Sequence, residues 1–198
     1  MDDIIKSARE IAMERVEKLG EASDDERLRW KYVPEGEKLA ARYLKQPACN
    51  LVTELNKYEE KVRKHVVEGA GDILARNIGL PSTDSARKNN RRAMDGLKTL
   101  KSDKVAVENV FSRMRGVFNH YAEQGEQQRK QAYQSLKADF EARVRQALQQ
   151  QLGAFIGVRI DVERQPQFQE EWRRLQAQLD SQYLRLLDEY KQELSGVA

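Results

Sequence analysis

The chain has 198 residues, 34% charged and 39% hydrophobic, and its 35 basic side chains nearly balance 32 acidic ones, giving a formal net charge of +3. That balance argues against a globally basic nucleic-acid binder, and no apolar run approaches the roughly 20 residues needed to span a bilayer. The lone Cys49 excludes an internal disulfide, so a reducing cytoplasm is the expected location.

Ile4 and Ile5 are followed at once by Lys6, Arg9 and Glu10, unlike a secretory signal. Ile4, Ala8, Ile11, Ala12, Val16 and Leu19 recur at helical steps, which predicts an amphipathic helix stopping at Gly20. Ser23 and Glu26 have capping-box spacing and predict a short turn carrying Leu28 and Trp30. Pro34 is then expected as the first residue of a helix that Pro47 ends. Asn50 caps the next predicted helix, whose stripe runs Leu51, Leu55, Tyr58, Val62, His65 or Val66, Ala70, Ile73 and Leu74. Residues 80–84 form a breaker cluster, with a helix restarting after Thr83 or Asp84.

No proline occurs from Ser102 to Leu152, and the apolar spacing predicts one helix of about 45–50 residues, about 70 Å long. A break at Gly125 is the alternative. Val158, Ile160 and Val162 alternate with Arg159 and Asp161, so residues 158–162 are either a short strand or an extended connector. Pro166 opens the last helix. Its stripe is Phe168, Trp172, Leu175, Leu179, Tyr183, Leu186, Tyr190 and Leu194, repeating after eleven residues, with Leu184 and Leu187 widening the face. One solvated helix would bury almost none of these groups, so an antiparallel hairpin with the preceding long helix is expected.

Sixteen of the seventeen glutamines lie between Gln124 and Gln192, marking the carboxyl-terminal part as a long polar surface suited to pairing. The stretch 86–104 is basic, with Arg87, Lys88, Arg91 and Arg92 on neighbouring helical faces, where they could meet phosphates or an acidic partner. It has no interleaved aromatic for base stacking, and a solvated basic face explains it equally well. His65, His120 and Cys49 are too few and too oddly spaced for a recognisable zinc site. Cys49 with His65 lacks an activating context for nucleophilic catalysis. Asp24-Asp25-Glu26 and Glu59-Glu60 read as helix starts and solvated faces, without the Glu-x-x-His pattern of di-iron bundles. Gly69 and Gly71 lack phosphate-loop spacing and read instead as a close helix crossing or a weak point. No catalytic residue, metal ligand or cofactor is expected.

The segments Lys6-Ser7-Ala8-Arg9-Glu10-Ile11-Ala12-Met13-Glu14 and Gln165-Pro166-Gln167-Phe168-Gln169-Glu170-Glu171-Trp172 resemble an uncharacterised bacterial family of helical proteins, a domain of unknown function. That resemblance implies no catalytic residues. The helix–strand–helix order from Val107 to Leu194 is similar to that of prefoldin-type chaperone subunits, which adds a holdase role to the possibilities.

The sequence therefore predicts an all-α, elongated helical bundle. Residues 1–79 form amphipathic helices, and residues 84–198 a long coiled-coil-like hairpin that pairs with protein partners and as a two-fold homodimer. The expected interface residues are Phe168, Trp172, Leu175, Leu179, Tyr183, Leu186 and Tyr190. The expected role is a non-enzymatic adaptor or scaffold, with nucleic-acid binding through 86–104 or holdase activity as alternatives.

Overall fold

The computed structural model describes residues 23–152 and 161–197, and these are all-α. The predicted helix at residues 4–19 and the start of the predicted strand, residues 158–160, lie outside the described residues. Backbone contacts divide the chain into two compact units: residues up to 76 with 95–100, and residues 77–94 with 101 onward.

In the first unit, α1 (Asp24–Lys45) begins with the expected capping box. Ser23 Oγ accepts from the Glu26 backbone N–H at 3.2 Å, and the Glu26 carboxylate accepts from the Ser23 N–H at 2.8 Å. Those bonds, backbone first, hold the Glu26 carboxyl below its ordinary value. The predicted break at Pro34 is absent, because α1 runs straight through it. An interior proline loses a hydrogen bond and clashes with the preceding turn, at about 3 kcal/mol. Contacts along the helix outweigh that cost.

The single helix expected from Asn50 to Leu74 is two. α2 (Leu51–Leu55) is capped by Asn50, whose side chain accepts from Thr53 N at 3.2 Å, and α3 spans Glu60–Arg76. Between them Lys57 and Tyr58 donate to Glu54 O and Leu55 O in tight three-residue turns, and Arg63 donates to Tyr58 O at 2.9 Å. The Tyr58 ring sits edge-on to Tyr32 of α1, with centroids 6.3 Å apart. An aromatic contact and local hydrogen bonds thus override the periodic signal.

α1 and α3 form the dominant helix pair of this unit. They cross at Gly36 and Gly69, both buried. A methyl group on Gly36 would collide with the Val66 carbonyl oxygen, and one on Gly69 with that of Val33. Only hydrogen at both sites allows the backbones so close. Leu39, Ala40, Val66, Ala70 and Leu74 are buried near this crossing, and Arg29–Glu68 and Lys64–Asp25 ion pairs flank it. Gly71, by contrast, faces open space.

The connector 77–83 leads into α4 (Asp84–Leu100), whose residues to Met94 belong to the second unit and whose residues 95–100 belong to the first; Thr83 Oγ1 accepts from Ala86 N at 3.1 Å. α4 is followed by α5 (Lys104–His120), capped by Asp103. The long helix predicted from 102 to 152 does continue. It passes through a π-turn at Tyr121–Gly125 into α6 (Glu126–Leu152), so the alternative break at Gly125 does not occur. Val162, the last residue of the segment read as a short strand or an extended connector, begins a 3-10 turn, Val162–Arg164, and is buried with Phe140 and Phe168. Its alternation with Asp161 reflects insertion into a helical core, and no strand exists among the described residues.

α7 (Pro166–Gly196) starts with proline at its first turn, as expected, and returns antiparallel along α6 and then α5. Tyr133 meets Phe168 and Trp172 edge-on at 5.6 and 5.1 Å, and Phe140 meets Phe168 at 5.6 Å. Arg143 donates both terminal nitrogens to Glu171, at 3.2 and 2.7 Å, and Lys137 pairs with Glu163.

Two predictions follow from these contacts. Gly→Ala inside a helix ordinarily stabilises by about 0.5–1 kcal/mol. Gly71→Ala should do so, whereas Gly69→Ala should destabilise by about 1–3 kcal/mol through overpacking; chemical denaturation of the two variants checks the opposite signs. In the hairpin, hydrogen bonds from Lys137 and Arg143 lower the carboxyls of Glu163 and Glu171 below the ordinary 4.5. Lowered folded values stabilise above the unfolded value, and that contribution is lost as pH falls through the folded ones. The thermal midpoint of the native chain should therefore fall as pH drops below 4.5, and fall less in a Glu163→Gln/Glu171→Gln variant.

Candidate interaction groove

A groove of about 760 Å³ runs between α5 and α7. From α5 come Arg113, Gly116, Val117 and His120, whose spacing places them on one helical face. From α7 come Leu175, Leu179, Leu186 and Tyr190, with Gln178, Gln182 and Tyr183 between them, and Gln128 of α6 closes one end. This is most of the periodic stripe read from the sequence. The rest of that helix is used differently. Phe168 is fully buried and Trp172 half-buried against α6, while Leu187 and Leu194 are fully buried. Leu175, Leu179, Tyr183 and Tyr190 remain half-buried, and Leu186 and Leu184 are exposed at 40% and 45%.

A polar cluster forms the groove's end at the π-turn. His120 Nδ1 lies 3.0 Å from the Tyr183 hydroxyl, and the Tyr183 ring stands edge-on to Tyr121 with centroids 5.2 Å apart. Arg129 lies over the Tyr121 ring at 4.1 Å, donates to the Tyr121 carbonyl at 3.3 Å and reaches Asp180 at 3.5 Å. Burial, and next the Asp180 charge, push the Tyr121 hydroxyl above its usual value, so it stays protonated and faces Asp180 as a donor. Gly125 is buried here because a side chain would press on the Arg129 guanidinium and the Tyr183 hydroxyl. The groove end is consequently fixed, whereas its apolar length is open. Sequence reasoning missed Arg129, Asp180 and the π-turn. Gly125 within an unbroken helical pattern was the one available signal, since π-turns widen helices where side chains insert.

Charge in the groove is sparse. Arg113, the only permanently charged lining residue among the described residues, pairs with Glu193 and covers the Tyr190 ring at 5.0 Å.

The other sequence candidates lie elsewhere. Arg87, Lys88 and Arg91 are exposed on the first half of α4 and Arg92 is half-buried, with Arg87 3.0 Å from Asp84. The neighbouring asparagines are engaged: Asn90 is buried, accepts from Gly79 N at 2.9 Å and donates to Gly79 O at 2.6 Å, while Asn89 donates to Asn77 O at 3.0 Å. They clamp the connector rather than wait for phosphate. His65 is buried in α3 with Nε2 3.3 Å from Asp25 Oδ1, and Cys49 is half-buried in the turn after α1. Among the described residues no three His, Cys, Asp or Glu side chains are grouped to hold a metal, and no helix is long and apolar enough to cross a membrane.

No curated protein and no solved structure matches this chain. The family comparison does place it: the pattern of one family fits residues 52–196, a span that includes α4 to α7 and the whole groove, and the chain belongs to that family of unknown function, DUF6657.

Proposed function

We propose that the chain is a non-enzymatic interaction protein, an adaptor or assembly factor that binds protein through the α5–α7 groove. The observation that carries this reading is the division of one apolar stripe. Leu187 and Leu194 of α7 are fully buried by the chain itself, while Leu175, Leu179, Leu186 and Tyr190 line an open groove. Burying a leucine-sized side chain stabilises by about 1.5–3 kcal/mol, so several half-covered groups leave a large unspent driving force for association. Aromatic residues, with a lone arginine at the rim, are the composition of binding hot spots. The groove's fixed polar end supplies directional contacts beside the apolar run.

The two sets of leucines should respond differently to charge. Leu187→Asp should unfold the second unit, because an unpaired carboxylate would be buried. Leu179→Asp should keep its helicity, since Leu179 lines open space, yet lose captured protein at least tenfold in nuclease-treated lysate of the native host. Equal capture by both the unmodified chain and the Leu179→Asp variant would sink the groove reading.

A further inference from the structure

The geometry points to a second copy of this chain as the groove's occupant, its α7 lying antiparallel in the α5–α7 groove about a two-fold axis between Gln182 and Tyr183. The inference rests on the docking reading above and names the partner. An antiparallel two-fold pair brings each residue opposite the one equally far on the other side of the axis. The open stripe has that symmetry. Leu175 and Tyr190 are equidistant from the midpoint between Gln182 and Tyr183, as are Leu179 and Leu186. Each of these four groove-lining apolar groups on α7 thus meets another, and Gln182 meets Tyr183. The four lie within a single helical stripe that lines the groove.

Charge and shape agree with that occupant. The incoming stripe would be leucine, tyrosine and glutamine, as uncharged as the groove that receives it. Leu186, exposed at 40%, lines the groove, and two-fold symmetry lets each copy's Leu186 enter the other's groove. Gly116 lines the groove with nothing within 4 Å of where its Cβ would stand. A glycine there costs α5 about 1 kcal/mol relative to alanine, and gives nothing back until another helix approaches.

The contact is modest in size. Leu175 to Tyr190 spans about 22 Å of helix, and two helices side by side are about 20 Å wide. That face, about 440 Å² in projection, falls below the roughly 800 Å² per partner of a standard specific interface and belongs with weak, reversible contacts. A reversible dimer with micromolar dissociation is expected.

Sedimentation of the full chain across concentration, together with single-cysteine cross-linking in a Cys49→Ser background, tests both the pairing and its register. Gln182→Cys should form a disulfide-linked dimer on mild oxidation, because a residue beside the axis meets its own copy within the Cα separation of about 4.4–6.8 Å that disulfides need. Ser195→Cys, far from the axis, should not. Leu186→Asp should retain helicity and lose the dimer. A monomer at all concentrations would overturn the inference, and so would a dimer in which Gln182→Cys links no better than Ser195→Cys. If the chain is monomeric but Leu179→Asp still abolishes capture from lysate, the docking reading survives and self-pairing falls. If capture is also unaffected, both fall.

Discussion

A helix as long as α7 cannot have its apolar stripe covered by one short neighbour, and the second unit is organised around that constraint. The helix has 31 residues, about 46 Å at 1.5 Å per residue. α6 covers its start through Phe168 and Trp172. Its far end is buried at Leu187 and Leu194, and Lys101 ties down the chain there by donating to Val197 O at 2.6 Å. Between these points the stripe faces a groove. What fixes the geometry is the long helix from α5 to α6, kept continuous through the π-turn by Arg129, Asp180 and the tyrosine pair. Arg129 and Asp180 are only 17% and 20% exposed, so this ion pair is shielded from solvent far more than the rim pairs and is the one suited to setting registry.

Glycine shows the same logic in two contexts. In the first unit Gly36 and Gly69 give up side-chain contacts so that α1 and α3 can touch backbone to backbone. Tight backbone contact there, together with the Ser23 capping box, explains why α1 tolerates Pro34. In the second unit Gly116 makes the same concession on α5 with no neighbour in place.

Much of this was legible in the sequence, and the failures have physical causes. Asn50 and Pro166 each announce a helix start, through side-chain capping or a fixed backbone angle, and each start is found. The Ser23–Glu26 capping box is also found, but it opens the whole of α1 rather than the short turn expected. The break at residues 56–59 was hidden because Leu55, Tyr58 and Val62 keep helical spacing while their contacts are made by turns. Val162 alternated like a strand residue because a 3-10 turn also delivers one side chain inward. The stripe of α7 was readable as a pattern, but periodicity cannot tell Leu186 from Leu187, adjacent residues that end exposed and fully buried. That distinction depends on where α5 lies, which only the folded arrangement decides. The π-turn cluster was invisible for the same reason, since Arg129 and Asp180 are 51 positions apart.

The most direct test of the account is hydroxyl-radical footprinting of the full chain over a range of protein concentrations, read residue by residue along α7. Leu187 and Leu194 should resist labelling throughout. Leu175, Leu179, Leu186 and Tyr190 should be labelled in dilute solution and become protected together as concentration rises. Labelling of those four that stays constant at every concentration, or labelling of Leu187 and Leu194 equal to theirs, would contradict an apolar stripe half covered by its own chain and completed by a second copy.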